Sequence, residues 1–168
     1  MSKYKSPFKP MKHLVKKHKA QCMLYAFAMA MDVDVTTLIA NIGHNGTEVL
    51  WPELASPKCF RGFHITEFVY TCFRMDYAIY EFPRNLSLGY SEETEKEIKP
   101  NFKIELDAII RFNRGVFITA NHAYAYDGFC IHDPDKEEGK VGSELLISDV
   151  DWQVFFGIIK IVWRGFVA

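Results

Sequence analysis

The chain has 168 residues, 49% of them hydrophobic, which is enough for one domain, residues 1–168, with an ordinary buried core. Its formal net charge of −1 gives no whole-molecule signal for binding nucleic acid or an anionic membrane. Four cysteines without a CxxC pair, the lack of a signal-peptide pattern, and an apolar run at 23–31 that is too short to span a bilayer predict a cytoplasmic protein without a membrane partner.

Positive charge is concentrated at the N-terminus, where Pro7, Pro10 and weak apolar periodicity predict an irregular basic lead-in over residues 1–19. Its lysines are Lys3, Lys5, Lys9, Lys12, Lys16, Lys17 and Lys19. A solvated arm is the favoured interpretation, and an arm that binds phosphate groups or a partner is the alternative. Nucleic acid is not an expected partner apart from a role of this arm.

Three helices are predicted in the first half of the chain. Residues 21–31 contain good helix formers and are apolar on every face, which indicates a buried central helix that starts at Cys22. Residues 36–42 form a second predicted helix. Residues 64–74 place apolar side chains at helical spacing, so an amphipathic third helix is predicted there.

Strand-like runs dominate the second half of the chain. The predicted strands are 77–82, 116–120, a hairpin over 122–133, 145–147 and 157–163. An exposed acidic loop at 84–101 and a short helix near 106–112 separate the first two. Because helices come first and strands second, the sequence predicts an α+β fold in which N-terminal helices pack on an antiparallel sheet.

The pair Asp127-Gly128 lies between two alternating runs and predicts a two-residue hairpin turn. With this loop, His122 lies directly opposite Asp133 on one face, with Cβ atoms roughly 4.5 to 5.5 Å apart. A carboxylate that orients an imidazole is part of a nucleophile, base and carboxylate triad. The alternative is that the pair only ties the hairpin together.

Cys22 is the strongest of the four candidate nucleophiles, because the N-terminus of a helix favours a thiolate. Cys130 is predicted on the hairpin face opposite to His122, Cys72 on the core stripe of a helix, and Cys59 in a loop. The cysteines and histidines match none of the usual zinc spacings, so neither a metal nor another cofactor is expected.

The order of three features along the chain is informative. Cys22 starts an Ala/Met-rich helix, His122 begins a strand, and Asp133-Pro134 ends the next strand. In these residues the chain resembles the papain-like cysteine peptidase superfamily. Within it, the chain is similar to the bacteriocin-processing double-glycine leader peptidases and their peptidase-like relatives, including uncharacterised bacteriophage proteins. Three short segments look like the phage-type relatives: 37–48, 51–52 and 62–65. The resemblance covers roughly residues 16 to 163.

The resemblance implies a papain-like fold and a thiol hydrolase that cleaves a peptide or isopeptide bond of a protein or peptide substrate through an acyl-enzyme. It gives Cys22 the role of nucleophile, His122 that of general base and later acid, and Asp133 that of fixing the imidazole tautomer. The backbone N–H of Cys22 becomes one oxyanion donor. For a phage-encoded protein, the expected compartment is the host cytoplasm.

The second oxyanion donor is where the sequence departs from the family. Papain-like enzymes usually have a glutamine about six residues before the cysteine, and this chain has Lys16 there. Met23 stands where leader peptidases often have a glycine. The candidate replacement donors are Lys16, His18 and Gln21. Candidates for contact with the substrate, all at loop or element ends, are Gln21, His44, Asn45, Trp51 and Asn121.

Two further functions stay open on the same fold. One is a catalytically weak or inactive binding or inhibitory module, because the loss of one oxyanion donor costs about 10² to 10³ in rate. The other is a thiol acyltransferase that uses the same triad and passes the acyl group to an amine. Fold-level similarity does not discriminate among the three.

Overall fold

The computed structural model describes residues 10–52, 59–84, 110, 113–136 and 150–162. Within these residues the chain is α+β, with helices packed on an antiparallel sheet, as predicted. The predicted loop after Arg84, the predicted strand 145–147 and, except for Ile110, the predicted helix 106–112 lie outside the described residues.

The three predicted helices are present, with boundaries within one residue of those predicted. They are α1 (Cys22–Met31), α2 (Val35–Ile42) and α3 (Ile65–Arg74), and a 3₁₀ turn (Lys19–Gln21) leads into α1. Every residue of α1 from Leu24 onward is buried. The prediction of a buried central helix is therefore confirmed, since only a helix enclosed by other elements can be apolar on all faces.

Among the described residues, seven strands form two sheets. Strands β1 (Val49–Leu50) and β2 (Cys59–Phe60) make a small ladder that the sequence did not predict. The main sheet has the order β3-β7-β4-β5-β6 and is antiparallel throughout. Its strands are β3 (Tyr77–Pro83), β4 (Gly115–Ile118), β5 (Ala123–Tyr126), β6 (Ile131–His132) and β7 (Val154–Lys160).

Strand β7 starts earlier than predicted, at Val154 in place of Gly157, and ends at Lys160. It lies between β3 and β4 and pairs with both, so its whole length is needed to match the seven residues of β3. Residues Val154–Gly157 pair with β3 and β4 at once, and pairing on both edges satisfies their backbone groups. The apolar residues Val154, Phe155 and Phe156 before Gly157 are therefore part of the sheet.

Both faces of the main sheet are covered. On one face α1 packs against β4, β5 and β7, and Phe27 of α1 stacks on Phe68 of α3 with ring centroids 4.3 Å apart. On the other face Phe117, Trp152 and Phe155 form a second aromatic cluster. Helix α1 packs on β5. This contact brings the first turn of α1 close to His122, the residue that precedes β5.

Among the described residues, no single helix has both the length and the apolar composition that a membrane crossing needs. The segments Lys19–Met31 and Val35–Ile42 meet those criteria only as a pair, and the chain bends by 115° between them.

Candidate active site

The hairpin of β5 and β6 has a longer loop than predicted. Tyr126 pairs with Ile131, so the loop comprises residues 127–130 and not Asp127-Gly128 alone. The Asp127 carboxylate accepts the backbone N–H groups two and three residues further on, at 2.9 and 2.7 Å. Such a side-chain turn replaces the backbone turn on which the two-residue prediction was based. The predicted register is therefore wrong by two residues.

The contact between His122 and Asp133 is nevertheless present. His122 Nε2 donates a hydrogen bond to Asp133 Oδ1 at 2.9 Å, and both side chains are 14% exposed. Continuing the observed register puts Tyr124, not His122, directly opposite Asp133. Because side chains alternate with period two, a shift of two residues keeps His122 and Asp133 on one face as diagonal neighbours. The predicted contact is confirmed, although the predicted register is wrong.

A tight turn between β4 and β5 holds His122 in place. The hydroxyl oxygen of Thr119 accepts the His122 N–H at 2.9 Å, and the Thr119 N–H and hydroxyl donate to the His122 carbonyl oxygen at 2.9 and 3.1 Å. The rings of His122 and Tyr124 contact each other edge to face, with centroids 4.5 Å apart. Both the backbone and the ring of His122 are thus fixed before any substrate binds.

Cys22 reaches His122 from the first turn of α1. The 3₁₀ turn before α1 is capped by His18, whose Nδ1 accepts the Ala20 N–H at 3.2 Å. The Cys22 thiol lies close enough to the His122 ring for the two groups to shift each other's pKa. An ionised carboxylate only accepts hydrogen bonds, so Nε2 of His122 carries a proton toward Asp133 and Nδ1 is left for Cys22.

The three groups shift one another's pKa toward a charged state. Burial raises the pKa of Cys22, but the His122 hydrogen bond and charge, the Lys16 charge and the Met23 N–H outweigh it, so this pKa lies below its ordinary value of 9.0. Burial lowers the pKa of His122, yet Asp133 and Cys22 raise it to about 9. Burial opposes ionisation of Asp133, but the His122 hydrogen bond and the Asp135 N–H lower its pKa. These shifts favour a thiolate, an imidazolium and a carboxylate in a row.

The other three cysteines lack this environment. Burial raises the pKa of Cys72 to about 12, and its thiol contacts the sulfur of Met31 at 3.9 Å. Burial and the Asp127 charge raise the pKa of Cys130. Cys59 is exposed. Among the four thiols, Cys22 alone combines a lowered pKa with a histidine partner.

Lys16 is the one alternative oxyanion candidate that lies in the charge network of the triad. Its ammonium forms an ion pair with Asp135, and its backbone N–H donates to the Pro134 carbonyl oxygen at 2.8 Å. The sequence reasoning missed Asp135, which lies in the turn that begins at Asp133, where the Lys136 N–H bonds the Asp133 carbonyl oxygen at 3.1 Å. The signal was the segment Asp133-Pro134-Asp135 itself, because Asp and Pro are typical turn residues.

Gln21 and His18 have structural contacts instead. The buried Gln21 uses an amide N–H to bond the Asn45 carbonyl oxygen at 3.0 Å, and its Oε1 has no partner among the described residues. The His18 ring contacts Phe60 with centroids 4.6 Å apart. Gln21 thus contacts the loop after α2 and His18 contacts strand β2, so neither contact supports the oxyanion role considered for them.

His44 is not available to a substrate, and that prediction is wrong. Its side chain is 2% exposed, Nε2 bonds Glu67 at 2.8 Å, and Nδ1 accepts the Gly46 N–H at 3.1 Å. The ring also stacks on Phe63. With both nitrogens used and the ring covered, His44 links the loop after α2 to α3, a tertiary role that no local pattern reveals.

The remaining substrate candidates lie on the surface. The Asn45 side chain accepts hydrogen bonds from the Thr47 N–H and hydroxyl at 3.0 and 2.7 Å, which shapes the loop. Trp51 is 58% exposed with a φ of +55°. Asn121 is exposed and directly precedes His122. Of the three, Asn121 is adjacent in sequence to a triad residue, and contact of any of them with a substrate stays a prediction.

Three potential metal ligands, His122, Asp133 and Asp135, have donor atoms within 4.8 Å of one another. No other group of three or more such ligands occurs in the described parts of the chain. The donors already have partners, since His122 bonds Asp133 and Asp135 pairs with Lys16. A metal would have to break these contacts, so the arrangement fits acid–base chemistry better.

His44→Ala is expected to lower the free energy of unfolding by about 2 to 4 kcal/mol, because it leaves a cavity and unpairs the Gly46 N–H. Urea unfolding at pH 7 measures the change. Glu67 has a lowered folded-state pKa, so its share of the stabilisation is complete above about 4.5 and disappears as the pH falls through the lowered value. A variant that keeps its stability but changes the reactivity of Cys22 would contradict this structural role.

Comparison with known proteins adds no relative: no protein-family model, curated protein or solved structure matches the chain.

Proposed function

We propose that the protein is a cysteine peptidase-like thiol hydrolase of papain-like fold, which cleaves a peptide or isopeptide bond through an acyl-enzyme. The observation that carries the proposal is the arrangement of Cys22, His122 and Asp133, in which His122 bonds Asp133 at 2.9 Å, the pKa of the thiol is lowered and that of the imidazole is raised to about 9. Perturbed pairs of this kind are how enzymes activate a nucleophile at neutral pH.

Each group then has one task. The Cys22 thiolate attacks the carbonyl carbon of the substrate, and the carbonyl electron pair moves to oxygen. As the tetrahedral intermediate collapses, His122 gives its Nδ1 proton to the leaving amine, and a thioester remains. His122 next takes a proton from water, which attacks the thioester and regenerates the thiolate. Asp133 keeps Nδ1 directed at Cys22 throughout.

The start of α1 supports the first oxyanion donor. Cys22 is the first residue of α1, directly after the 3₁₀ turn Lys19–Gln21. The Met23 N–H of the same helical turn is directed toward the thiol. A carbonyl oxygen that becomes negative beside Cys22 therefore lies at the positive end of the helix dipole.

The proposed substrate is a protein or peptide in a cytoplasm, that of the host if a phage encodes the chain. A thiol acyltransferase differs only in the acceptor, an amine in place of water. A binding module without turnover is the alternative from another class, and it is favoured by the use of the Gln21 amide to bond Asn45, away from any oxyanion role.

Selective alkylation of Cys22 by iodoacetamide tests the proposal. We expect Cys22 to react at pH 6 at least about 10-fold faster than Cys130, because a lowered pKa keeps more thiolate at that pH. Peptide mass spectrometry after timed labelling between pH 5 and 10 gives the rate and apparent pKa of each thiol. The buried Cys72, whose pKa is about 12, is the internal control for unfolding.

If Cys22 reacts no faster than Cys130 at any pH, the hydrolase proposal is refuted, and the fold is then better studied as a binding module. If Cys72 becomes labelled at the same rate, the protein has opened during the experiment, and the labelling is repeated at lower temperature. Selective labelling of Cys22 justifies a screen with fluorogenic peptides, with and without added amine to detect acyl transfer.

A further inference from the structure

Both the side chain and the backbone of Lys16 contact residues that directly follow Asp133. Its side chain is 16% exposed and pairs with Asp135, while its backbone N–H bonds the Pro134 carbonyl oxygen. Asp135 in turn donates its N–H to Asp133 Oδ1 at 2.9 Å. A long flexible side chain normally keeps its charge in open water, so a lysine held in this way beside a triad is unusual.

The charge of Lys16 acts where negative charge develops. Its ammonium contributes to lowering the pKa of Cys22, so it lies close enough to stabilise the thiolate. Asp135 lies within 4.8 Å of the ligand atoms of His122 and Asp133, and Lys16 neutralises this second carboxylate. Without the ammonium, two carboxylates would oppose the thiolate and any oxyanion that forms beside it.

A lysine ammonium has three N–H donors and accepts nothing. The ion pair with Asp135 needs one or two of them, so at least one donor is left for a substrate oxygen. Lys16 also stands at the sequence position where papain-like enzymes usually have the glutamine that stabilises the oxyanion. A charged donor in that position would stabilise an oxyanion more strongly than a neutral amide.

Building on the proposed function, we propose that Lys16, positioned by Asp135, supplies the second oxyanion donor of this active site. Its ammonium N–H would bond the carbonyl oxygen of the substrate as that oxygen becomes negative, together with the backbone N–H of Cys22. Asp135 is a positioning residue that holds the ammonium at the edge of the site, and it does not touch the substrate.

Two reagents separate oxyanion stabilisation from thiolate formation without knowledge of the natural substrate. Iodoacetamide alkylates the Cys22 thiolate: the sulfur bonds the CH₂ carbon, iodide leaves directly, and no oxyanion forms. p-Nitrophenyl acetate is attacked at its carbonyl carbon, passes through a tetrahedral oxyanion, expels p-nitrophenolate and leaves an acetyl thioester on Cys22. Mass spectrometry of the Cys22 peptide gives both rates on the folded full chain at pH 6.

Two neutral substitutions of similar length form a matched pair. Lys16→Met removes the charge and the donor, whereas Lys16→Gln removes the charge and keeps an N–H donor. We expect both to slow iodoacetamide by the same factor, about 3- to 10-fold, since both lose the same charge. Acetylation is expected to fall by about 10² to 10³ in Lys16→Met and clearly less in Lys16→Gln.

Two further variants test the position of the charge. Lys17→Met removes an exposed neighbouring lysine and is expected to change neither rate. Asp135→Asn keeps the ammonium but removes the charge that positions it, so the ratio of acetylation to alkylation is expected to fall by about 3- to 10-fold, clearly less than in Lys16→Met. Lys16→Arg, which retains charge and donors, shows whether a loss in Lys16→Met reflects the missing group or a damaged fold, with thermal unfolding as a check.

Three outcomes would overturn the inference. Equal losses in both reactions for Lys16→Met would mean that Lys16 acts on the thiolate alone. Identical acetylation of Lys16→Met and Lys16→Gln would remove the donor role. An Asp135→Asn variant that keeps the wild-type ratio of acetylation to alkylation would remove the positioning role of Asp135. Failure of the proposed function itself is seen separately, in wild-type Cys22 that reacts no faster than Cys130.

Discussion

Cys22→Ala is expected to reduce hydrolysis of a responsive fluorogenic peptide by roughly 10⁵- to 10⁶-fold, because the thiol that forms the acyl-enzyme is removed. His122 and Asp133 remain in this variant, but a base without a nucleophile raises the rate only slightly above that of the uncatalysed reaction. The measurement is initial rate against substrate concentration, together with intact-protein mass spectrometry for the covalent acyl adduct. The adduct should be absent in the variant.

The control for this experiment is Cys130→Ala. Cys130 is exposed and its pKa is raised, so its removal should leave turnover within about twofold. Urea unfolding should find Cys22→Ala within about 1 kcal/mol of the wild type, because Cys22 is only partly buried. A folded Cys22→Ala protein that keeps its biological effect would show that the protein acts by binding.

His122→Ala is expected to lower turnover by about 10⁴- to 10⁶-fold and to raise the pKa of Cys22. The thiol stays partly buried, which raises its pKa, but loses the hydrogen bond and charge of His122, its largest lowering influences. Alkylation of Cys22 at pH 6 should then lose most of its advantage over Cys130. Rates between pH 5 and 10 measure both changes in the same samples.

The direction in which pH changes both the stability and the turnover follows from the pKa of His122. The folded-state pKa of His122 is raised from 6.5 to about 9, so the stability that the imidazolium contributes is complete below 6.5 and is lost as the pH rises through about 9. The difference in unfolding free energy between the wild type and His122→Ala should shrink over that interval. Turnover should fall on the same alkaline limb, since the imidazolium protonates the leaving amine.

Asp133→Asn tests whether His122 controls the fall of turnover at alkaline pH, which is the alkaline limb of the pH profile. It can keep a hydrogen bond to His122 Nε2 but removes the negative charge that helps to raise the pKa of His122. The limb should therefore move from about 9 to lower pH, with the fold retained. A limb that stays in place would mean that a group other than His122 controls it, which would contradict the assigned general acid.

The two halves of the site were predictable to different degrees. The start of α1 at Cys22 followed from helix formers, and the contact of His122 with Asp133 followed from strand alternation. The second prediction survived a wrong register because the error was two residues, the period of a strand. An error of one residue would have moved Asp133 to the other face.

The contacts that the sequence did not reveal share one property, namely that they join segments far apart in the sequence. Gln21 bonds Asn45, His44 bonds Glu67, and Lys16 pairs with Asp135. Polar side chains at loop ends look alike whether they face a partner, a substrate or water. Only the packing of distant loops decides which of these they meet.

The sequence by itself determined the local elements and their faces: a buried helix with a cysteine at its N-terminus, and a hairpin with an imidazole and a carboxylate on one face. The tertiary structure alone decided that α1 packs on β5 and so joins Cys22 to His122, and that β7 lies between β3 and β4. The physical reason is that periodicity and turn chemistry act over a few residues. The order of strands and the meeting of loops depend instead on how all the apolar faces are buried at once.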